Sequence, residues 1–220
     1  MDIERARFNM IEQQIRPWEV LDPGVLNLLA VVKREDFVPP AYRALAFVDT
    51  QVPLTGGRQM LEPRVEARLL QELQVQRHEK VLEIGTGSGF TAALLGHRAQ
   101  RVITLECDPA LAASATASLR RAGIANVEVR TVAPEALARG LPAEGPFDAI
   151  LLPGSVADMP RALLEQLKPG GRLLAIVGDE PIMRARLFTR AGDAAWSAVD
   201  VFDTVAPRLP GFDTAPRFSF

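Results

Sequence analysis

Glu83, Gly85, Gly87, Gly89 and Glu106 are the residues whose types and spacing carry chemistry. Gly85-Thr86-Gly87-Ser88-Gly89 is a G-x-G-x-G run. Glycines at that density allow a tight turn and let backbone come close to a ligand. The run follows Val81-Leu82-Glu83-Ile84, which reads as a buried strand, and precedes the apolar, helix-favouring stretch Phe90 to Gly96. Strand, glycine turn and helix start together present unpaired N–H groups to a nucleotide-type ligand. Glu106 stands 17 positions after Gly89, at the end of a second strand pattern, Arg101 to Leu105. An acid in that place can accept both hydroxyls of a ribose. A glycine turn with no ligand is the weaker rival reading of the loop taken alone, and the second acid weakens it further. The spacing also differs from the G-x-G-x-x-G that holds a pyrophosphate. With no evident hydride-transfer partner, a nicotinamide-dependent dehydrogenase is disfavoured.

The elements that must position these groups follow from pattern. From residue 79 strands alternate with helices: strands at 80–84, 101–105, 127–131, 147–152 and 172–177, with helices at about 89–97, 109–121 and 158–167. Residues 185–190 and 195–203 read as two final strands. Such alternation predicts an α/β fold with a mainly parallel, doubly wound sheet. Ahead of it, residues 2–16 read as a helix ended by Pro17, and Asp22-Pro23 as the start of a second. Ala41 to Phe47 reads as a short helix, 48–61 as an extended glycine-containing loop, and Glu62-Pro63 as another helix start. Val65, Leu69, Leu70 and Leu73 give that last helix one apolar face. No flexible linker separates the regions. The expected organisation is a helical cap with a substrate loop over 1–78 and a ligand-binding sheet domain over 79–220, packed as one compact unit.

Composition narrows the class. The 220 residues are 48% hydrophobic and 24% charged, as in a soluble globular protein. A net charge of −2 gives no reason to expect a nucleic-acid or anionic-membrane partner. Cys107 is the single cysteine, so no internal disulfide forms, which fits a reducing compartment. The charged, amphipathic N-terminus lacks the apolar core of a signal peptide, and no run reaches a membrane span. A cytoplasmic location is the expectation. One cysteine and the scattered His78 and His97 make no metal site, so none is expected.

Glu83-x-Gly85-x-Gly87-x-Gly89 resembles the signature of class I S-adenosylmethionine-dependent methyltransferases, which have a Rossmann-like fold. Other stretches are similar to one family within that class. Met10-Ile11-Glu12-Gln13-Gln14-Ile15-Arg16, Arg34-Glu35-Asp36-Phe37-Val38-Pro39-Pro40 and Arg43-Ala44-Leu45-Ala46-Phe47 resemble the N-terminal region of protein-L-isoaspartate O-methyltransferases. Pro146 to Leu151 and Leu163 to Leu173, with its Lys168-Pro169-Gly170-Gly171, extend the likeness to roughly residues 8–178. The resemblance implies S-adenosylmethionine as cofactor, held by Glu83, Gly85, Thr86, Gly87, Ser88, Gly89 and Glu106, with Cys107 either lining the adenine pocket or simply buried. Glu83 would steady the loop and the cofactor's ammonium group. The implied partners are isoaspartyl-containing proteins or peptides, repaired when the methyl ester cyclises to a succinimide and partly reopens as aspartate. Monomer and homodimer both stay open.

The substrate loop departs from that family. The usual G-Q-T-I-S-Q-P aligns with Gly57-Arg58-Gln59-Met60-Leu61-Glu62-Pro63. Leu61 takes the place of the serine and cannot hydrogen-bond a carboxylate. Glu62 would repel an anionic acceptor if it faced the site, and Arg58 offers a compensating clamp. Val132-Ala133 replaces the Gly-Asp that contacts adenine, and Pro153-Gly154-Ser155-Val156 replaces a threonine- and alanine-rich loop. No residue is assigned as catalytic; Arg58, Gln59, Met60 and Leu61 are the candidates. A carboxylate is already ionised and the leaving group is a neutral thioether, so transfer needs alignment rather than a general base. One lost positioning hydrogen bond costs on the order of 1–3 kcal/mol. Two rival readings follow from Leu61 and Ala133: a methyltransferase for an unidentified acceptor, a different carboxylate or a small molecule, or a protein that binds S-adenosylmethionine without turnover. Trp18 and Trp196 read as packing residues, Asp148 as a strand-edge cap, and Phe212 with Phe218 and Phe220 as an apolar tail.

Overall fold

The computed structural model describes residues 2–212. Helix α1 (Ile3–Met10) is N-capped by Asp2, whose side chain accepts from the Arg5 N–H at 3.1 Å. It runs on through a wider turn, Ile11–Ile15, and a tight one, Arg16–Trp18, and ends at Glu19 with φ 61°. Pro17 therefore sits inside the last turn rather than stopping the helix. Asp22 caps α2 (Pro23–Val31) by accepting from the Val25 N–H at 2.9 Å. The expected helix near residues 41–47 is a tight-turn helix over Pro40–Leu45. The expected loop at 48–61 carries a small antiparallel hairpin, β1 (Val52–Pro53) with β2 (Gln59–Met60). Helix α3 (Pro63–Leu73) follows.

The alternating region contains β3 (Lys80–Ile84), α4 (Phe90–Arg98), β4 (Arg101–Glu106), α5 (Pro109–Arg121), β5 (Val127–Thr131), α6 (Pro134–Leu137), β6 (Phe147–Val156), α7 (Arg161–Leu164), β7 (Leu167–Asp179), β8 (Ile182–Gly192) and β9 (Ala195–Asp203). The strands lie side by side in the order β5-β4-β3-β6-β7-β8-β9. The first five are parallel; β8 runs antiparallel to both β7 and β9. This is the mainly parallel, doubly wound α/β sheet that the sequence pattern predicts.

One helix is much shorter than expected. The segment 158–167 is helical only over Arg161–Leu164, because the Gln166 carbonyl accepts from the Phe147 N–H at 2.7 Å and starts β7 at Leu167. Lys168 to Gly171 then bulge out between the pairs Phe147↔Leu167 and Ala149↔Arg172.

Side-chain alternation divides the sheet into two faces. Val81, Val102, Ala149, Leu151, Leu174 and Ile176 pack under a core shared with Met10, Ile15, Leu29, Leu69, Leu73 and Leu94. Leu82, Ile84, Ile103, Leu105, Ile150 and Leu173 face the other way, against Leu137, Leu163, Leu209 and Phe212. Phe212 is thus buried on the sheet; Phe218 and Phe220 lie outside the described residues. Glu83 and Thr104 fall on the first face, opposite each other in register between β3 and β4. No helix among the described residues is long and apolar enough to cross a membrane.

Candidate functional site

Strand order reverses at β3, which lies between β4 and β6, and that is where doubly wound sheets open a crevice at their carboxyl ends. A pocket sits there. Its walls come from Gly57–Leu61, from Gly85–Ser88 with Glu106, and from Pro207–Pro210. The glycine loop turns back on itself: the N–H groups of Gly85 and Thr86 donate to the Leu105 carbonyl at 2.8 and 3.1 Å. Gly85 has φ 99°, and a Cβ there would stand 2.8 Å from Leu209 Cδ2, so only glycine fits without displacement. Gly89 has φ 85° and opens α4; a Cβ would meet Ala115 of α5 at 3.1 Å.

Glu106 ends β4 in the pocket wall. Its Oε2 accepts from the Gly87 N–H at 2.9 Å, and its Oε1 from the N–H groups of Cys107 and Asp108 at 2.8 and 3.0 Å. Backbone donors therefore hold the acid and the loop in one frame. Glu83 lies beneath the loop, fully buried. The Thr104 hydroxyl donates to Glu83 Oε2 at 2.6 Å and sits 2.7 Å from the Thr86 hydroxyl, so the acid steadies the loop through two threonines. Glu83 Oε1 is buried without a hydrogen-bond partner among the described residues. Burial raises the Glu83 carboxyl to about 8; the Thr104 bond pulls it down, and the charges of Glu106 and Glu66 push it further up.

The facing wall depends on Arg34, which is 1% exposed. Its Nε donates to the Ala46 carbonyl at 3.1 Å, Nη2 to the Leu61 carbonyl at 2.8 Å, and Nη1 to Glu66 Oε2 at 2.9 Å. The guanidinium also lies over the Phe90 ring, 5.2 Å from its centre. One side chain thus ties the N-terminal region, the loop ahead of α3, and α3 itself. Glu66 is 3% exposed yet lines the pocket. Burial raises its carboxyl to about 7, opposed by Arg34 and the Thr91 hydroxyl and reinforced by Glu62.

Of the residues singled out in the sequence, Arg58, Gln59, Met60, Leu61, Gly85, Thr86, Gly87, Ser88 and Glu106 line this one pocket. Glu83, Gly89 and Cys107 do not: Glu83 lies under the loop and Gly89 packs on α5. Cys107 is half-buried beside the pocket, where Arg58 Nη2 donates toward its sulfur at 3.6 Å. Arg58 therefore leans across to the end of β4. Glu62 is not in the pocket wall, and its Oε1 accepts from Gln51 Nε2 at 3.2 Å instead. The acid that faces the site is Glu66, one turn later. Sequence reading missed Glu66, Arg34, Thr91 and Pro207–Pro210. Glu66 left a signal, being a charge on the apolar stripe of Val65, Leu69, Leu70 and Leu73. Arg34 left none beyond its place in a family-like stretch.

The remaining candidates lie elsewhere. His78 and His97 are exposed, and no cluster of potential metal ligands occurs among the described residues. Trp18 packs edge-on against Phe202, and Trp196 donates to the Leu164 carbonyl at 3.1 Å. Asp148 accepts from the Lys80 N–H at 2.8 Å and pairs with Lys168 at 2.7 Å, where β6 begins its pairing with β3 and β7 rather than at the pocket.

The sheet order, the glycine loop at the switch point and the acid ending the second strand define a class I methyltransferase. The protein-family description "Protein-L-isoaspartate(D-aspartate) O-methyltransferase (PCMT)" matches residues 5–205. Curated relatives include the Protein-L-isoaspartate O-methyltransferase 1 of Syntrophobacter fumaroxidans, 40% identical over 81% of this chain and 82% of that protein. The Protein-L-isoaspartate O-methyltransferase of Koribacter versatilis is also 40% identical, over 80% of this chain and 78% of that one. Among solved structures, a Plasmodium falciparum protein described as a putative protein-L-isoaspartate O-methyltransferase in complex with S-adenosyl-L-homocysteine superposes with TM-score 0.77. It is 18% identical and covers 96% of this chain and 99% of that one, a likeness of fold. The chain belongs to the protein-L-isoaspartate(D-aspartate) O-methyltransferase family. It is a methyltransferase, and its cofactor is S-adenosylmethionine.

Proposed function

We propose that the pocket aligns the methyl group of S-adenosylmethionine with the carboxylate of an isoaspartyl residue in a damaged protein, and that residues 55–62 form the acceptor side. The observation that carries this reading is the meeting of two walls in one pocket: Gly57–Leu61 stands across from the glycine loop and Glu106. The residues present fit the cofactor. Glu106 suits the ribose hydroxyls, the glycine-loop residues Gly85–Ser88 line the pocket beside it, and Glu83 Oε1, without a partner among the described residues, is an acceptor beneath the loop. Residues 1–78 then act as a cap that supplies the acceptor side, and 79–220 as the cofactor side, within one compact unit.

The cofactor supplies an electrophilic methyl group on a sulfonium. The rest of the task is alignment: an oxygen–methyl bond forms as the sulfur–methyl bond breaks, and no proton moves because the acceptor is already ionised. The protein's part is to hold the acceptor oxygen in line and keep water out. Leu61 and Met60 give the loop an apolar lining, and Arg58 is the cation on that side of the pocket.

The test is base-labile methyl transfer from labelled S-adenosylmethionine to an isoaspartyl peptide, with the ordinary aspartyl peptide as control. Transfer to the isoaspartyl form alone supports the reading. Cofactor binding without transfer to either peptide sinks it and favours the second reading, a different acceptor. That second reading draws on Leu61 and on Glu66, because an acid in the wall is an unusual neighbour for an incoming carboxylate. A Leu61→Ser variant separates the two: it should raise isoaspartyl kcat/KM about 5- to 10-fold, the worth of one positioning hydrogen bond.

A further inference from the structure

We propose that Glu66, reaching into the pocket from α3, is a counter-ion for the α-ammonium group of S-adenosylmethionine, sharing that charge with Glu83 of β3. The proposal rests on the cofactor reading and adds a ligand contact from the acceptor side of the pocket.

Three observations carry it. First, position: Glu66 is 3% exposed and lines the same pocket as the glycine loop, and it accepts from the hydroxyl of Thr91 on α4, next to that loop. Second, incomplete pairing: Arg34 Nη1 donates to Oε2 at 2.9 Å, while among the described residues Oε1 has only the Thr91 hydroxyl at 3.4 Å, too long to satisfy a buried carboxylate oxygen. Glu83 Oε1, whose carboxyl feels the Glu66 charge, has no partner among the described residues. Third, the charge balance: Glu66, Glu83, Glu62 and Glu106 are the acids whose fields meet here, with Asp49, itself paired with Arg64, also acting on Arg34. The cations in reach are the buried Arg34 and, in the pocket wall, Arg58, whose contact is with Cys107, and Arg208, whose Nη2 is committed to the Gly178 carbonyl and Asp179. Acids that are buried, close to one another and short of donors are stabilised most by a cation placed between them.

S-adenosylmethionine brings two cationic groups, an ammonium and a sulfonium. An ammonium is a hydrogen-bond donor and can satisfy the open oxygens; a sulfonium has no hydrogen to donate. The unfilled acceptors therefore select the ammonium. Arg34 gives the contact a consequence, since it holds Glu66 and the Leu61 carbonyl together: the group that reads the cofactor is tied to the loop that faces the acceptor.

The experiment is calorimetric binding to wild type and Glu66→Gln. The ligands are S-adenosylmethionine, S-adenosylhomocysteine, which keeps the ammonium without the sulfonium, and 5′-methylthioadenosine, which lacks the amino-acid part. The expected result is a loss of roughly 10- to 100-fold for the first two and less than about twofold for the third. Equal affinity of wild type and variant for S-adenosylhomocysteine overturns the proposal. So does a loss for S-adenosylmethionine alone, which assigns the sulfonium, and so does an equal loss for all three, which assigns a structural role. If wild type binds none of them, the cofactor reading itself has failed, a result distinct from these. A second measurement needs no variant. Glu66 and Glu83 sit at about 7 and 8 without ligand, and pairing favours their ionised forms. Binding of S-adenosylhomocysteine to wild type should therefore release protons at pH 7 and tighten from pH 6 to 7.5. A flat or falling profile overturns the proposal even if the variant does not fold.

Discussion

The two walls of the pocket are built on different length scales. The cofactor wall uses residues 83–89 and 104–108, which adjacent parallel strands place side by side, and most of its hydrogen bonds join neighbouring backbone to Glu106 or Leu105. The acceptor wall gathers Ala46, Leu61, Glu66 and Phe90 around the buried side chain of Arg34, and the chain between them passes through loops and short turns. A wall made of backbone and strand register tolerates side-chain change. A wall hung on one buried ion pair does not, because losing either partner strands the other's charge.

The largest effect expected from that contrast is Arg34→Leu. It takes away the cation paired with the buried Glu66, which must then hold a proton or bear an unpaired charge, and frees two carbonyls, and it should cost about 3–5 kcal/mol in denaturant unfolding. Adding Glu66→Leu should return at least half of the loss, since the stranded acid is then gone. A single-variant loss under about 1 kcal/mol would show that Arg34 does not hold the wall together.

The same contrast decides what could be read from the sequence. The glycine loop, Glu83, Glu106 and their strands were legible because each signal is local: apolar strand runs, glycines at fixed spacing, an acid at a strand end. The cap Asp22 was legible for the same reason. The Arg34–Glu66 pair spans 32 positions, so no local pattern announces it, although a charge on an apolar stripe was a visible hint. Glu62, the more obvious acid beside the loop, was the wrong one to watch: it stands just ahead of α3 and turns its side chain to Gln51. The helix expected at 158–167 failed because β6 claims the Gln166 carbonyl, a long-range demand that helix propensity does not contain.

Buried acids in both walls make the unliganded protein sensitive to pH, next in size. Glu66 and Glu83 have folded-state values raised to about 7 and 8, above their ordinary 4.5. The folded chain therefore holds protons that the unfolded chain releases. The resulting stability is complete below about 4.5 and is lost as pH rises through 7 to 8. Glu79 and Asp148 are shifted the other way by Arg172 and Lys168, which outweigh the effect of burial, and their contributions fade only in acid below that window. The thermal midpoint should fall by roughly 3–10 °C between pH 5.5 and 8. A midpoint that is flat or rising there contradicts the protonated state of these acids.

Glu106→Gln probes the cofactor wall alone. Glutamine keeps an acceptor for some of the three backbone N–H groups but loses the charge, so the fold should persist while affinity for S-adenosylhomocysteine drops about 10-fold. Unchanged affinity would remove Glu106 from the ribose assignment and leave it as a brace for the loop.

Cys107 should matter least, and it sharpens the comparison because it touches both walls. Its backbone N–H is held by Glu106 on the cofactor side, while its sulfur meets Arg58 from the acceptor side. Only the second contact involves the side chain, and at 3.6 Å to a sulfur it is weak. Burial and the nearby Glu106 charge raise the thiol, outweighing Arg58, so it stays protonated at neutral pH and offers the guanidinium no negative charge. Cys107→Ser should therefore leave affinity for S-adenosylhomocysteine and isoaspartyl kcat/KM within about twofold of wild type, since one neutral hydroxyl replaces one neutral thiol. A loss beyond tenfold in kcat/KM with affinity unchanged would mean that Arg58 is set by this sulfur, and that the acceptor wall depends on the end of β4 as well as on Arg34.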